Sequence, residues 1–148
     1  MNFLKRLLGL KQAVTSSSSS VVNSPTVDFP TPRHVYSHLL SRLTGGYGEF
    51  AMFSKLEASD QWVQVTELHD EVIELNFAYP YDENPDLRFV TTGIEMPEGS
   101  ALSRWQAGSY ASYTFPKCPS TQLVNCVDDL FNKILHVSDT DLIGGWVG

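Results

Sequence analysis

The stretch from Leu123 to Leu135 constrains the fold most. There Leu123, Val124, Val127, Leu130, Phe131, Ile134 and Leu135 fall at i, i+1, i+4, i+7, i+8, i+11 and i+12. This spacing gives a helix one broad apolar face over about four turns, and such a face has to lie against a second layer. Ser120 stands at its start, where a hydroxyl caps free N–H groups.

The second layer is written upstream, in period two. Glu49 to Leu56 sets Phe50, Met52 and Leu56 against Ala51, Phe53 and Lys55. Gln61 to Leu68 sets Val63 and Val65 against Gln64 and Thr66, and Glu71 to Tyr79 sets Ile73, Leu75, Phe77 and Tyr79 against Val72, Glu74 and Asn76. Alternation over these lengths predicts half-buried antiparallel strands. The breaks at Ala58-Ser59-Asp60 and His69-Asp70 read as hairpin turns, so the three strands form a meander. Before them, Thr31-Pro32 reads as an N-cap and first helical residue, Val35, Leu39, Leu40 and Leu43 make an apolar stripe, and Gly45-Gly46 stops the helix.

The expected class is therefore α+β: an N-terminal helix and an antiparallel meander sheet, packed by a C-terminal amphipathic helix. Residues 80–108 are harder to read. PYDENPD is a turn-rich loop, Leu87 to Met96 is either a strand or a short helix, and Pro97-Glu98-Gly99 breaks the chain again. Tyr110, Tyr113, Thr114 and Phe115 suggest a further strand within Gln106 to Phe115. Ser138-Asp139-Thr140-Asp141 resembles a capping box and suggests a second helix start. The apolar tail from Leu142 to Val147 either covers a sheet edge or presents a contact surface.

With 148 residues, 42% hydrophobic and 18% charged, the chain has the size and composition of one globular domain. We place that domain at residues 31–148. Residues 1–30 read as a basic segment followed by a Ser/Pro-rich tether, marked by the run Ser16 to Ser20 and then Pro25 and Pro30. Within the opening MNFLKRLLGLK, the uncharged apolar run is only Leu7 to Leu10. That is too short for a secretory signal or a membrane span. A surface helix of residues 1–11 on a membrane is the weaker reading, and a frayed or docked N-terminal turn the stronger.

The net charge of −7 is unevenly spread: residues 1–33 carry +3 and the rest −10. An acidic body repels phosphate backbones, which argues against nucleic acid and suits a basic protein or peptide partner. Cys118 and Cys126, eight apart, fit neither a zinc knuckle nor a redox pair, and read as reduced thiols in a cytoplasmic protein.

Catalytic signatures are sparse. His34 and His38 lie one helical turn apart but lack a third ligand, so no metal is expected. Asp82, Glu83 and Asp86 crowd one loop without the spacing of a calcium site, and Asp128-Asp129 belong on the polar face of the last helix. There is no nucleophile elbow and no phosphate-binding glycine loop, so no cofactor is expected and the chain reads as a non-enzyme. The aromatic residues Trp62, Tyr79, Tyr81, Trp105, Tyr110 and Trp146 are the candidate binding residues, since such side chains bury much area with few rotors. Core packing is the competing reading for Trp62 and Tyr79. The apolar tail and aromatic strands would also suit pairing in a homodimer.

Trp62-Val63-Gln64-Val65, the strand Glu71 to Tyr79, then Leu87 with Gly93 and Pro97, and finally Leu123-Val124 through Val137 to Leu142 form a series. It resembles the TY-Chap branch of the type III secretion chaperone-like and YbjN-like superfamily over residues 47–142. The chain departs from that pattern at Gly93-Ile94, where the branch commonly has Gly-Trp, and it lacks a proline before Leu142. The resemblance implies a non-catalytic bacterial domain, chaperone-like, that binds proteins or peptides on its sheet or helix face. The alternative expectation is an immunity protein that neutralises a basic toxin.

Overall fold

Thr31 begins the first helix as its residue type demands: its side chain accepts a hydrogen bond from the His34 amide, and Pro32 takes the first helical position. The computed structural model describes residues 31–148, so the expectations for the basic segment and the Ser/Pro-rich tether fall outside the described residues. Helix α1 (Pro32–Thr44) buries the expected stripe and adds Tyr36 to it. It stops at Gly45, after which Gly46 takes a φ of +88°, a conformation that costs glycine little.

The meander is present as β1 (Phe50–Lys55), β2 (Ala58–Leu68) and β3 (Val72–Ala78). Its first turn differs from the expectation: it lies at Leu56-Glu57, and Ala58-Ser59-Asp60 already belong to β2. The pairs Ser54 with Trp62 and Lys55 with Ala58 leave Ser59 to Gln61 unmatched, a bulge whose polar residues imitate a turn in the sequence. The second turn has Asp70 and Glu71 at φ of 66° and 60°.

Residues 85–92 resolve the open choice in favour of a helix, α2 (Pro85–Thr92). Asn84 caps it through Oδ1, which accepts from the Asp86 amide at 2.8 Å, and Gly93 ends it at a φ of 75°. What reads as loop punctuation at Asn84-Pro85 is thus the start of a helix. Strand β4 (Ala101–Gln106), absent from the sequence reading, follows, and β5 (Tyr110–Pro116) takes the expected place. Helix α3 (Ser120–Asp129) passes into one π-helical turn at Leu130–Ile134. The seven apolar residues from Leu123 to Leu135 are all buried.

No second helix starts at Ser138. The capping contacts do form, with the Ser138 amide donating to Asp141 Oδ2 at 2.8 Å, but they close a turn leading into β6 (Ile143–Val147). The apolar tail covers a sheet edge by becoming a strand, since β6 pairs antiparallel with β1. The sheet order is β4-β5-β3-β2-β1-β6, and every neighbouring pair is antiparallel. The class is α+β, with the first and last helices packed on the sheet.

Residues directly opposite in antiparallel strands share a face. One row reads Gly145, Phe53, Val63, Phe77, Ala111, Trp105, and the next holds Ala51, Val65, Leu75, Tyr113 and Leu102. The helices pack on this face. Tyr36 meets Phe53 edge-on at 5.3 Å and stacks on Phe131 at 5.6 Å, and Phe89 stacks on Phe77 and Tyr113.

Candidate functional site

The opposite face carries the alternate residues, and no helix among the described residues packs on it. Its central row runs Trp146, Met52, Gln64, Asn76, Ser112, Arg104. Flanking rows hold Phe50, Thr66, Glu74 and Thr114 on one side and Ser54 with Trp62, then Ala78 with Tyr110, on the other. The face has two halves. Over β6 and β1, with Trp62 of β2, it is mainly apolar, bordered by Gln64 and Thr66: Phe50, Met52, Trp62 and Trp146 are each half-buried, and the Phe50 and Trp146 rings meet edge-on at 5.1 Å. Over β3, β5 and β4 it is polar and internally bonded. Ser112 Oγ donates to Asn76 Oδ1 at 2.9 Å, and Arg104 lies 3.6 Å from Glu74 with its guanidinium 6.0 Å from the Tyr110 ring centre.

The six candidate aromatics therefore divide. Trp62, Tyr110 and Trp146 stand on the open face. Tyr79, Tyr81 and Trp105 sit on the helix-covered side and act as structure. Tyr79 is fully buried, and its hydroxyl donates to the Glu83 carbonyl at 2.7 Å. Trp105 packs edge-on to it at 6.1 Å. The Tyr81 ring lies 3.5 Å beneath the Arg88 guanidinium, and its hydroxyl donates to the Ile134 carbonyl at 2.7 Å with His136 Nε2 at 3.0 Å. Trp105 and Trp146 both lie in strands.

Phe50, Met52 and Arg104 join the face without having been singled out from sequence. The signal for the first two is present in β1, which is apolar on both faces. A strand with only one side to bury has no need of that.

Elsewhere four of the carboxylates are held in structural contacts. Glu83 pairs with Arg88 at 3.1 Å, Asp86 accepts from the Tyr113 hydroxyl at 2.6 Å, Asp128 pairs with Arg33 at 3.1 Å and Asp129 with Lys133 at 3.7 Å. A polar cleft of about 370 Å³ beside α3 includes Glu95, Gln122, Asn125 and Asp128. His34 and His38 are exposed, and among the described residues no three His, Cys, Asp or Glu side chains converge as a metal site. Burial pushes the Cys126 thiol up to about 12 and raises that of Cys118, which disfavours the reactive thiolate in both. Burial also raises the Asp128 carboxyl, an effect opposed by Arg33.

No helix among the described residues is long and apolar enough to cross a membrane. Comparison with protein-family models, with curated proteins and with solved structures finds no match to the chain.

Proposed function

We propose that this chain is a non-catalytic, chaperone-like domain that binds a protein or peptide partner on the open face of its sheet, in the cytoplasm of a bacterium. The observation that carries the reading is the placement of Phe50, Met52, Trp62 and Trp146 on a face that no helix among the described residues covers. Apolar patches rimmed by polar residues are favoured contact surfaces, and tryptophan is the preferred anchor within them. The polar half, with Asn76, Arg104 and Tyr110, would fix orientation through hydrogen bonds, while Ser112, fully buried and bonded to Asn76, supports it from beneath. The resemblance to the TY-Chap branch agrees with this reading, and the unpaired cysteines suit a reducing compartment. A second reading, an immunity protein, is favoured by the −10 charge of residues 34–148, which complements a basic toxin.

The test is affinity capture from the source cell with the full chain and with Trp62→Ala, Trp146→Ala and Trp105→Phe variants as bait. Trp62→Ala and Trp146→Ala should lose the partner, while Trp105→Phe, altered on the other side of the sheet, should keep it. Retention of the same partner by all three variants overturns the assignment to this face, and a reproducible blank overturns the binding role. One dominant partner held with an affinity of roughly nanomolar order selects immunity, whereas weak capture of many peptides selects the chaperone.

A further inference from the structure

We infer that the partner this face takes is a second copy of the chain, in a symmetric sheet-on-sheet dimer; this rests on the reading of that face as the binding surface. The strand register extends the face beyond its aromatic half. Past the row of Phe50, Thr66, Glu74 and Thr114 lies one more, Leu68, Val72 and Pro116, in which Leu68 is 43% exposed and Pro116 is exposed too. Apolar side chains thus stand along one side, at Phe50, Met52 and Trp62, and across one end. Between them lie the neutral polar residues Gln64, Thr66, Asn76 and Thr114.

The chemistry of these rows matches its own image. The amides of Gln64 and Asn76 and the hydroxyls of Thr66, Thr114 and Tyr110 each both donate and accept hydrogen bonds. Such groups pair with copies of themselves, which a carboxylate or an ammonium group cannot do. The two charges in the paired rows, Glu74 and Arg104, lie 3.6 Å apart and cancel. The −10 of residues 34–148 therefore lies off these rows, so two copies meet here without like charges in contact.

Symmetry gives the register. A two-fold axis that lies in the interface and crosses the strands sets each strand on its own copy. Placed between the Phe50 row and the central row, it puts Phe50 opposite Met52 of the second copy, Trp62 opposite Leu68, and Tyr110 opposite Pro116. Asn76, whose amide nitrogen enters no bond among the described residues, then donates to Glu74 of the second copy. Apolar groups meet apolar groups throughout, and aligned packing of two twisted sheets accommodates the match.

The area suffices. Strands β1 to β5 fill four rows of this face, and each residue tiles about 4.8 Å by about 6.8 Å, which gives roughly 600 Å² a copy. Two copies bury roughly 1,200 Å², the lower bound of a specific stable interface, which fits a dissociation constant of roughly micromolar order.

The experiment is sedimentation of the full chain over ~1 to ~100 μM, alone and as Thr66→Lys and Thr66→Glu variants, each confirmed as folded by circular dichroism. The axis sets the two copies of residue 66 one row, about 6.8 Å, apart along the strands, so either charge meets its like. The wild type should dimerise, each variant alone should dimerise at least ten-fold more weakly, and an equimolar mixture of the two should restore the dimer. Raising salt from ~0.05 to ~0.5 M should tighten the wild-type dimer several-fold, because it screens the repulsion between two bodies of charge −7.

A wild type that stays monomeric at the highest concentration overturns the dimer. So does a dimer that both variants leave intact, which would place the interface elsewhere, or a variant mixture that stays monomeric. A dimer that salt loosens is held by charge pairs that these rows lack, and it overturns the proposal as well. If capture of another protein depends on Trp62 in any of these cases, the binding face stands and only the second copy falls.

Discussion

At the scale of single residues, the chain uses its titratable groups to stay folded. Cys126 illustrates how. Its thiol is buried in α3 and pushed from an ordinary 9.0 to about 12, so between those values the unfolded chain sheds a proton that the folded chain keeps. Stability therefore falls as pH rises from 9 toward 12. The buried hydroxyls of Tyr36 and Tyr113, also raised by burial, act in the same direction. Iodoacetamide at pH 8, followed by mass spectrometry, should label the half-buried Cys118 well before Cys126, and Cys126 only once the protein unfolds. Labelling of Cys126 in the folded state would contradict its burial. Glu71 gives a second residue-scale prediction. Its φ of 60° is one that a Cβ disfavours, and its side chain is exposed. Glu71→Gly should therefore be neutral to stabilising by up to about 1 kcal/mol in urea unfolding, despite the entropy that glycine adds to the unfolded chain.

At the scale of elements, close approach sets the tolerances. Gly145 in β6 lies beneath α1, and a Cβ there would meet Met52 O at 2.7 Å and the Leu39 and Phe53 side chains at 2.9 Å. Gly145→Ala should cost about 1–3 kcal/mol by thermal unfolding, because either the helix or the strand has to move away. A variant as stable as wild type would show that α1 does not pack this tightly on β6. Legibility also divides by element. Helices α1 and α3 were readable because each runs through at least two turns of an uninterrupted apolar period. Strands β2 and β3 were readable because the core lies on one side and leaves clean alternation at Val63, Val65, Ile73, Leu75 and Phe77. Strand β4 was not, because a bulge at Ser103 puts its two core-side residues, Leu102 and Trp105, three apart instead of two. At α2, Asn84 and Pro85 carry the same chemistry in a loop as in a cap, and only the residues after them decide between the two.

At the scale of the whole molecule, one face of the sheet is closed by helices, no helix among the described residues packs on the other, and the proposed binding role of that second face makes the acidic charge of residues 34–148 bear on its partner. Capture of a basic partner should weaken steadily as salt rises from ~0.05 to ~0.5 M, since electrostatic attraction between exposed charges is screened over that range. Salt-independent capture would assign the affinity to the apolar half-face alone. Substitutions at Trp62 and Trp146 should then remove binding at every salt concentration.

Periodicity alone determined the α+β class, the three-strand meander and the inward-facing residues of β2, β3 and α3, because a helix stripe and a strand alternation are local consequences of 3.6 and two residues per repeat. The candidate aromatics were legible as residue types but not as a site. Whether Trp62 and Trp146 share a surface, and whether Tyr79, Tyr81 and Trp105 are removed from it, depends on which strand pairs with which. Met52 meets Trp146 across β1 and β6, elements more than eighty residues apart in the chain. No local pattern encodes such a pairing. Backbone hydrogen bonds along the β1 edge bring the two together, and only the tertiary structure decided it.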